Sequence, residues 1–416
     1  MPSGICQPLI PRRHDQRRRG IDFCGLPAMT IDKHLKKPIE AGLIPGVVAL
    51  AAYDRGVIYE GAFGRRAVDK EEPMTLDSVF RIASMTKAVT GAAVMQLVER
   101  GRLSLDQPMG NVLSAVKNVK VLDGFNADGT PRLRDPKTPI TLQHLLTHTS
   151  GYGYDVFNPD LARYIEVVGL PSILTRKNDA LRVPLLFDPG TDWEYGIGID
   201  LVGKVIEAVT GVDLESYFRR HIFDPLGMHD TSFLLRNSMA LRLVGTHIRG
   251  PRGAPVAINI EPADDGEFYT GGAGLFSTAP DYLTFTRMLL AGGTIDGVEV
   301  LKPETVKEMA HNAIGDLDVP VVRSNNPALA LEVETFPGQV KKWGLSFLIN
   351  TEDVEGFRSA GSLTWGGVHN TYFWIDLKKH ITAVDLMQIL PIGDPHVQAT
   401  MMAFERALYA AIPNNA

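Results

Sequence analysis

The sequence predicts an α+β fold, in which an antiparallel sheet flanked by helices is built from both chain ends and a mainly helical domain is inserted between them. Segments rich in β-branched and aromatic residues stand near both ends of the chain, at 47–64 and 370–390. Helical patterns of apolar residues fill the region between these segments. Strands and helices therefore do not alternate as a doubly wound parallel sheet requires.

The predicted boundaries follow this change of character along the chain. We expect residues 1–28 to form a flexible basic tail and residues 29–84 and 335–416 to form the α/β domain with the antiparallel sheet. Residues 85–334 are predicted to form the mainly helical domain with its loops. A chain of 416 residues is long enough to bury a sizeable core.

Local signals predict the individual elements in order. Two strands flank the turn Asp54-Arg55-Gly56, and a helix runs from Ser84 to about residue 100, where Gly101 ends it. Thr141 is a suitable N-cap for the next helix. Further helices are predicted over 31–42, 198–222, 281–293 and 396–411, a hairpin over 370–390, and loops over 121–138 and 314–340.

Composition excludes several classes of protein. The net charge of -6 gives no basic surface for a nucleic-acid partner. The two cysteines, Cys6 and Cys24, are too few for a disulfide framework or a cysteine-built zinc or iron–sulfur site. No run of ~18 apolar residues is present to span a membrane. We therefore expect chemistry from Ser, Lys, Tyr, His or carboxylate groups, with no cofactor and no metal, while the oligomeric state stays open.

The first 20 residues are basic and contain five arginines, which raises the question of a twin-arginine export signal. No apolar run follows these arginines, so an export signal is rejected. A flexible tail, or a translation start at Met29, is the preferred interpretation, and the expected location is cytoplasmic.

Ser84 and Lys87 form an S-x-x-K pair, which places a hydroxyl and an amine on one face of a helix. The spacing alone is weak evidence, because Ser114 and Lys117 repeat it. Ser84 opens an apolar, alanine-rich helix, whose first turn has unpaired N–H groups and the positive end of the helix dipole. An oxyanion formed there would be stabilised. Ser114 stands in a polar segment, and we interpret it as a surface residue.

Two further segments offer candidate groups. Tyr195 precedes a predicted helix and is either a core aromatic or a phenol that shuttles a proton. Gly366 and Gly367 are predicted to head a strong strand, where glycines mark a bulge or a close approach. The N–H of Val368 would then be able to point at a substrate oxygen. His369 is interpreted as a loop or edge histidine, with a substrate contact as the alternative.

Rival motifs are absent or incomplete. The hydrolase elbow G-x-S-x-G does not occur. His144 and His148 have the i, i+4 spacing of helical zinc ligands, but without H-E-x-x-H or an obvious third ligand a structural pair is favoured. The glycine-rich segment 271–277 lacks the lysine of a phosphate-binding loop. The segment 125–135 contains Asp and Asn without calcium-loop spacing.

The ordered set of S-M-T-K at 84–87, Tyr195 and W-G-G at 365–367 resembles the serine β-lactamase and penicillin-binding-protein-like superfamily. The segments L-L-T-H-T-S-G at 145–151 and G-G-A-G-L-F-S-T-A-P-D-Y at 271–282 add to the resemblance, which covers roughly residues 30–410. It is greatest to the class C β-lactamase-like carboxylesterases, often called family VIII esterases, with statin side-chain acyltransferases as close relatives. The resemblance implies the same fold, with the catalytic serine between the two lobes.

The resemblance also implies roles for individual residues, as a Ser-Lys-Tyr catalytic set. Ser84 would be the nucleophile and Lys87 would accept its proton, while Tyr195 would assist as general base and then protonate the leaving alkoxide. The backbone N–H groups of Ser84 and Val368 would form the oxyanion hole. Whether Lys87 or Tyr195 takes the first proton stays open.

Departures from the β-lactamase motifs bear on the substrate. Trp365, Gly366 and Gly367 are the predicted substrate-binding residues, but Trp365 replaces the lysine of K-T-G and Ile197 replaces the amide of Y-x-N. An apolar wall instead of an anion clamp predicts a serine carboxylesterase that takes small neutral esters with short or medium acyl chains through an acyl-enzyme on Ser84. β-Lactamase or D-amino peptidase activity, acyl transfer and a non-catalytic binding protein remain as alternatives.

Overall fold

The computed structural model describes residues 26–260, 266–332 and 334–412. Residues 1–25 of the predicted tail, with both cysteines and the arginines, lie outside these ranges. The first helix begins at Leu26, so the last three residues of the predicted tail range 1–28 are helical. The boundaries between the two predicted domains stay predictions.

The helices have the following bounds: α1 Leu26–Glu40, α2 Thr86–Glu99, α3 Leu142–Thr147, α4 Pro159–Val168, α5 Gly198–Thr210, α6 Leu214–Phe218, α7 Asp224–Leu226, α8 Asn237–Ala240, α9 Ala279–Leu290, α10 Pro303–Ala310 and α11 Pro395–Ala411. The strands are β1 Gly46–Tyr53, β2 Gly56–Gly64, β3 Phe80–Arg81, β4 Val121–Phe125, β5 Pro131–Arg134, β6 Thr246–Arg249, β7 Pro255–Ile258, β8 Phe276–Ser277, β9 Thr294–Ile295, β10 Val298–Glu299, β11 Lys341–Trp343, β12 Leu348–Asn350, β13 Leu363–Gly367, β14 Thr371–Asp376 and β15 Ile381–Leu386.

Seven strands form one antiparallel sheet in the order β11-β12-β13-β14-β15-β1-β2. β1 and β2 come from the N-terminal part of the chain, and the other five strands from the C-terminal part. The two parts meet where β1 pairs with β15, with Val48 opposite Leu386 and Ala51 opposite Ala383. The predicted α+β class, with its sheet built from both chain ends, is confirmed.

Both faces of the sheet are covered by helices. Along β1, Val47 and Ala49 face the apolar layer that contains α1 and α11, while Val48 and Leu50 face the layer that contains α2 and α9. Burial on both faces explains why β1 is a continuous apolar run rather than an alternating one. Within the described ranges, no helix is long and apolar enough to cross a bilayer.

Helix α2 is the central helix of the structure. Every residue from Thr86 to Leu97 is buried, and the helix contacts α5 and α6. A helix that is apolar all round is typical of a protein core. Because the first turn of α2 lies inside the molecule, polar groups there must find partners within the protein.

Two local predictions were wrong. Trp365, Gly366 and Gly367 end β13 instead of heading a strand, and the strong strand β14 begins at Thr371 after a turn at 368–370. Asn370 reverses the chain there with a φ of 63°. The region 121–138, predicted as loop, contains the hairpin of β4 and β5, whose second strand β5 is polar and carries little apolar signal.

Candidate active site

A cavity of about 1400 Å³ opens between the end of β13 and the helical region. Its walls include the turn Ala83–Met85, residues of α5, and loops near residues 154–157 and 318–322. Ser84, Tyr195, Trp365, Gly366 and Val368 line this cavity, and Lys87 lies directly behind Ser84. The structure therefore brings the candidate residues from three distant segments to one place.

Ser84 lies in the 3-10 turn Ala83–Met85, immediately before α2. The preceding residue, Ala83, has a φ of 44°, a left-handed conformation that costs a residue with a Cβ roughly 1–2 kcal/mol. Such strain persists where the surrounding contacts determine the backbone, and it is frequent at functional sites. The predicted helix start at Ser84 is within two residues of the observed one.

Lys87 is completely buried, with 0 % of its surface exposed. Its Nζ lies 3.2 Å from Ser84 Oγ. It donates hydrogen bonds to Tyr154 OH at 3.1 Å and to the carbonyl oxygen of Gly272 at 2.8 Å. Burying an amine without such partners would cost folding free energy, so these contacts determine the position of Lys87 Nζ.

Tyr195 approaches Ser84 from the other side. Its OH donates to Ser84 Oγ at 2.7 Å and accepts a hydrogen bond from Trp365 Nε1 at 3.3 Å. The Tyr195 ring also faces the amine, with Lys87 Nζ 4.7 Å from the ring centroid. The hydroxyl of Ser84 thus lies between an amine and a phenol, each close enough to exchange a proton with it.

His148 holds the backbone on both sides of Tyr195. Its Nδ1 accepts from the N–H of Gly196 at 3.3 Å, and its carbonyl accepts from the N–H of Glu194 at 2.9 Å. Burial holds the pKa of His148 well below its usual range, so the ring stays neutral. His148 thus supports the backbone around Tyr195, and its interpretation as a structural histidine stays a prediction.

His144 has a different structural role. It closes a capping box with Thr141 at the start of α3, which confirms the predicted N-cap. His144 Nδ1 accepts from the N–H of Thr141 at 3.2 Å. Of the two histidines with i, i+4 spacing, His144 therefore caps helix α3 and His148 holds the backbone beside Tyr195.

Gly367 joins the end of β13 to the segment that carries Ser84. A Cβ on Gly367 would lie 2.3 Å from the carbonyl oxygen of Ile82 and 2.4 Å from Thr371 Oγ1. Such distances are far inside van der Waals contact, so only glycine fits without a shift. The contact places the turn that begins at Val368 beside the turn that contains Ser84.

The wall that replaces the β-lactamase lysine is aromatic. The Trp365 ring lies 4.7 Å from the Trp343 ring and 5.1 Å from the Tyr195 ring, measured between centroids. Arg81, which sequence reasoning did not single out, lines the same cavity, donates to the carbonyl of Ile260 at 2.9 Å and lies over the ring of Phe276. The cavity therefore keeps a cation, although not at the position of the missing lysine.

His369 also lines the cavity, next to Val368. Burial, with the charge of Arg81 as the smaller cause, lowers the pKa of His369 to about 3. The ring is therefore neutral at physiological pH. A neutral imidazole on this wall is compatible with the substrate contact that the sequence left as an alternative.

Two buried hydrogen-bond partners of Lys87, Tyr154 and Gly272, and Asp200, which binds both of them, were not predicted as site residues from the sequence. Tyr154 OH donates to Asp200 Oδ2 at 2.8 Å, and the N–H of Gly272 donates to Asp200 Oδ1 at 2.9 Å. Asp200 is the acidic residue in the first turn of α5, which also carries the ion pair of Lys204 and Glu207 further along the helix. That carboxylate at the start of a helix, and the glycine pair at 271–272, were the available signals.

The duplicate S-x-x-K pair lies elsewhere. Ser114 is exposed in a short 3-10 turn, Ser114–Val116, and Lys117 is exposed as well. The prediction that Ser114 is a surface residue is confirmed.

This fold, with an S-x-x-K serine at the buried start of a central helix, defines a protein of the serine β-lactamase and penicillin-binding-protein superfamily. The family model described as Beta-lactamase matches residues 31–406, and the chain belongs to that family. The family that the sequence motifs resembled is therefore confirmed.

Two curated relatives and one solved structure show which activities occur among similar chains. The lovastatin esterase of Penicillium rubens is 33% identical over 91% of this chain and 98% of its own length. The monacolin J acid methylbutanoyltransferase of Aspergillus terreus is 33% identical over 92% of this chain and 96% of its own. The unliganded simvastatin synthase of Aspergillus terreus has a TM-score of 0.81 at 31% identity, covering 94% of this chain and 100% of that one. Both hydrolysis and acyl transfer therefore occur in close structural relatives.

We expect Gly367→Ala to impair activity far more than stability. The added Cβ must push the turn after β13 away from Ile82, and a displacement of about 1 Å at a catalytic site costs about 10²-fold in rate. The measurement is kcat/KM with an activated ester, beside the melting temperature. Gly56→Ala is the control, because nothing lies within 4 Å of a Cβ at Gly56. Equal activities of the two variants would contradict the close contact at Gly367.

Proposed function

We propose that this protein is a serine carboxylesterase that hydrolyses short- to medium-chain neutral esters through an acyl-enzyme on Ser84. The observation that carries the proposal is the convergence on Ser84 Oγ of Lys87 Nζ at 3.2 Å and Tyr195 OH at 2.7 Å. A serine hydroxyl is a weak nucleophile unless an adjacent base takes its proton. The lovastatin esterase, a relative similar over nearly the whole chain, supports hydrolysis.

In the proposed reaction, Ser84 Oγ attacks the ester carbonyl carbon while its proton passes to Lys87 or Tyr195. The carbonyl oxygen becomes an oxyanion that the N–H groups of Ser84 and Val368 stabilise. The C–O bond to the alcohol then breaks, and Tyr195 protonates the leaving alkoxide. Water attacks the resulting acyl-enzyme, which releases the acid and restores the Ser84 hydroxyl.

The preference for neutral esters rests on the wall of the cavity. Trp365 offers an indole where β-lactamases have the lysine of K-T-G, and its Nε1–H is already donated to Tyr195. This wall favours apolar acyl groups, as in the family VIII carboxylesterases that the sequence resembles. Arg81, like Arg176, Lys204 and Lys341, lines the same cavity and would favour an anionic group, so a test of the preference needs an anionic ester as well as a β-lactam.

We expect Ser84→Ala to lower kcat by at least about 10⁴-fold, because the proposed acyl-enzyme cannot form without the hydroxyl. The measurement is ester hydrolysis, together with circular dichroism to show that the fold is kept. Ser114→Ala removes the serine of the duplicate motif at an exposed site and is expected to retain wild-type kcat. Full activity of Ser84→Ala would end the proposal.

A substrate panel tests the specificity. We expect kcat/KM for p-nitrophenyl butyrate to exceed the values for nitrocefin and for mono-p-nitrophenyl succinate by at least about tenfold, because an aromatic wall gains nothing from a carboxylate. All three substrates are measured on one enzyme preparation, with Ser84→Ala as the blank. A higher value for nitrocefin would favour a β-lactamase, and a higher value for the succinate would indicate that a cationic residue of the cavity, such as Arg81, binds the substrate.

Acyl transfer to an alcohol is the second candidate function. Its support is the methylbutanoyltransferase, similar over nearly the whole chain, and a cavity of about 1400 Å³, larger than the ~300–1,000 Å³ typical of small-molecule sites. Such a cavity has room for a bulky acceptor beside the acyl group.

Product analysis separates transfer from hydrolysis. With a butyryl ester and rising concentrations of an apolar alcohol, an esterase is expected to form mainly butyric acid, because water at about 55 M competes for the acyl-enzyme. The new ester then increases in proportion to the alcohol. Saturation of ester formation at millimolar alcohol, with loss of the acid product, would show a bound acceptor and reassign the protein as an acyltransferase.

A further inference from the structure

Asp200 is bound to both groups that receive hydrogen bonds from Lys87. Its Oδ2 accepts from Tyr154 OH at 2.8 Å and its Oδ1 accepts from the N–H of Gly272 at 2.9 Å. Lys87 in turn donates to that same phenol oxygen and to the carbonyl of that same glycine. Asp200 is 1 % exposed and Lys87 is 0 % exposed, so water does not compete with these contacts.

The directions of these hydrogen bonds determine what is left for Ser84. A phenol has one proton, and Tyr154 gives it to Asp200, so towards Lys87 it is an acceptor. The carbonyl of Gly272 is an acceptor by nature. An unprotonated amine has two N–H groups and one lone pair. When both N–H groups are donated to Tyr154 and Gly272, the lone pair points to the third neighbour of Nζ, which is Ser84 Oγ.

The hydrogen bonds around Ser84 agree with this orientation. Tyr195 OH accepts from Trp365 Nε1 and donates to Ser84 Oγ. The proton of Ser84 then needs an acceptor of its own. When Lys87 is unprotonated, its lone pair can accept that proton across the 3.2 Å between Nζ and Ser84 Oγ.

We propose that Asp200 is a positioning residue, which commits Tyr154 and Gly272 as hydrogen-bond acceptors and so directs the lone pair of Lys87 at Ser84. The proposal rests on the proposed function, since it assumes that Ser84 is the nucleophile. It also separates the two candidate bases, with Lys87 taking the first proton and Tyr195 protonating the leaving group.

The packing around Asp200 leaves no room for a side chain at position 271 or 272. A Cβ on Gly272 would lie 2.5 Å from Asp200 Oδ2 and 2.8 Å from Tyr154 OH. A Cβ on the neighbouring Gly271 would lie 2.7 Å from the carbonyl oxygen of Ile199. This packing explains the glycine pair at 271–272, which lacked a phosphate-binding pattern in the sequence. The backbone of the pair must approach α5 closely enough for the N–H of Gly272 to reach the Asp200 carboxylate.

The isosteric variant Asp200→Asn tests the proposal. The amide oxygen must accept from the N–H of Gly272, which leaves Nδ2–H facing Tyr154 OH. The phenol then has to accept from the amide, and its proton turns towards Lys87 Nζ and occupies the lone pair. We expect kcat for p-nitrophenyl butyrate to fall about 10²-fold with KM nearly unchanged, and the rate of Ser84 labelling by a fluorophosphonate probe to fall in parallel.

A second substitution separates positioning from mere structural support. Adding Tyr154→Phe to Asp200→Asn removes the reversed phenol, so the double variant is expected to recover about tenfold in kcat over Asp200→Asn. Asp385→Asn is the matched control. It changes a buried aspartate of β15 whose carboxylate has no hydrogen-bond partner among the described residues, and we expect wild-type kcat.

The outcomes are distinct. If Asp200 only supports the fold, Asp200→Asn lowers the melting temperature and changes kcat and KM together. The added Tyr154→Phe substitution then restores no activity. This set of results would overturn the proposal. Wild-type kcat in Asp200→Asn overturns it as well. Failure of the proposed function is recognised separately, because the wild-type enzyme would then neither hydrolyse the ester nor be labelled at Ser84.

Discussion

The burial of the Lys87 amine is the constraint on which the rest of the site depends. An amine with no exposed surface must be surrounded by acceptors, or the folded state loses several kcal/mol. Its acceptors Tyr154 and Gly272 come from distant parts of the chain, and Asp200 in the first turn of α5 binds both of them. The glycine pair at 271–272, the loop with Tyr154 and the first turn of α5 are therefore arranged around one nitrogen atom.

The sheet positions the wall of the cavity that faces Ser84. β13 ends at Gly367, whose missing side chain lets the strand lie against Ile82, one residue before the strained Ala83. Residues far apart in sequence are thus fixed to one another by backbone contact rather than by side chains. Such contacts transmit small displacements directly to the serine, since packed backbones have little freedom to relax.

The sequence predicted what depends on local patterns and on motif order. Ser84, Lys87, Tyr195 and Trp365 were found because each stands in a recognisable segment and the segments occur in order. Asp200 and Tyr154 were not found, because their contact joins positions 46 residues apart and leaves no period in the sequence.

The errors in secondary structure have similar physical causes. The glycines of W-G-G were placed at the head of a strand because the apolar run follows them, whereas pairing with β14 assigns them to the end of β13. The hairpin of β4 and β5 was missed because β5 is polar and largely exposed, so cross-strand hydrogen bonds hold it rather than an apolar face. In both cases the hydrogen bonds between paired strands, and not the apolar pattern, determine the strand boundaries.

The pairing of β1 with β15 also has a consequence for folding during translation. Val48 is made long before its sheet partner Leu386, and also before the turn at Val368. The apolar strand β1 therefore cannot pair with β15 until the intervening chain has been made, and closing so long a loop is slow. Nascent chains carry Ser84 and Lys87 before the wall that faces them exists, so the proposed acyl-enzyme chemistry requires that β13 and the turn at Val368 have been made.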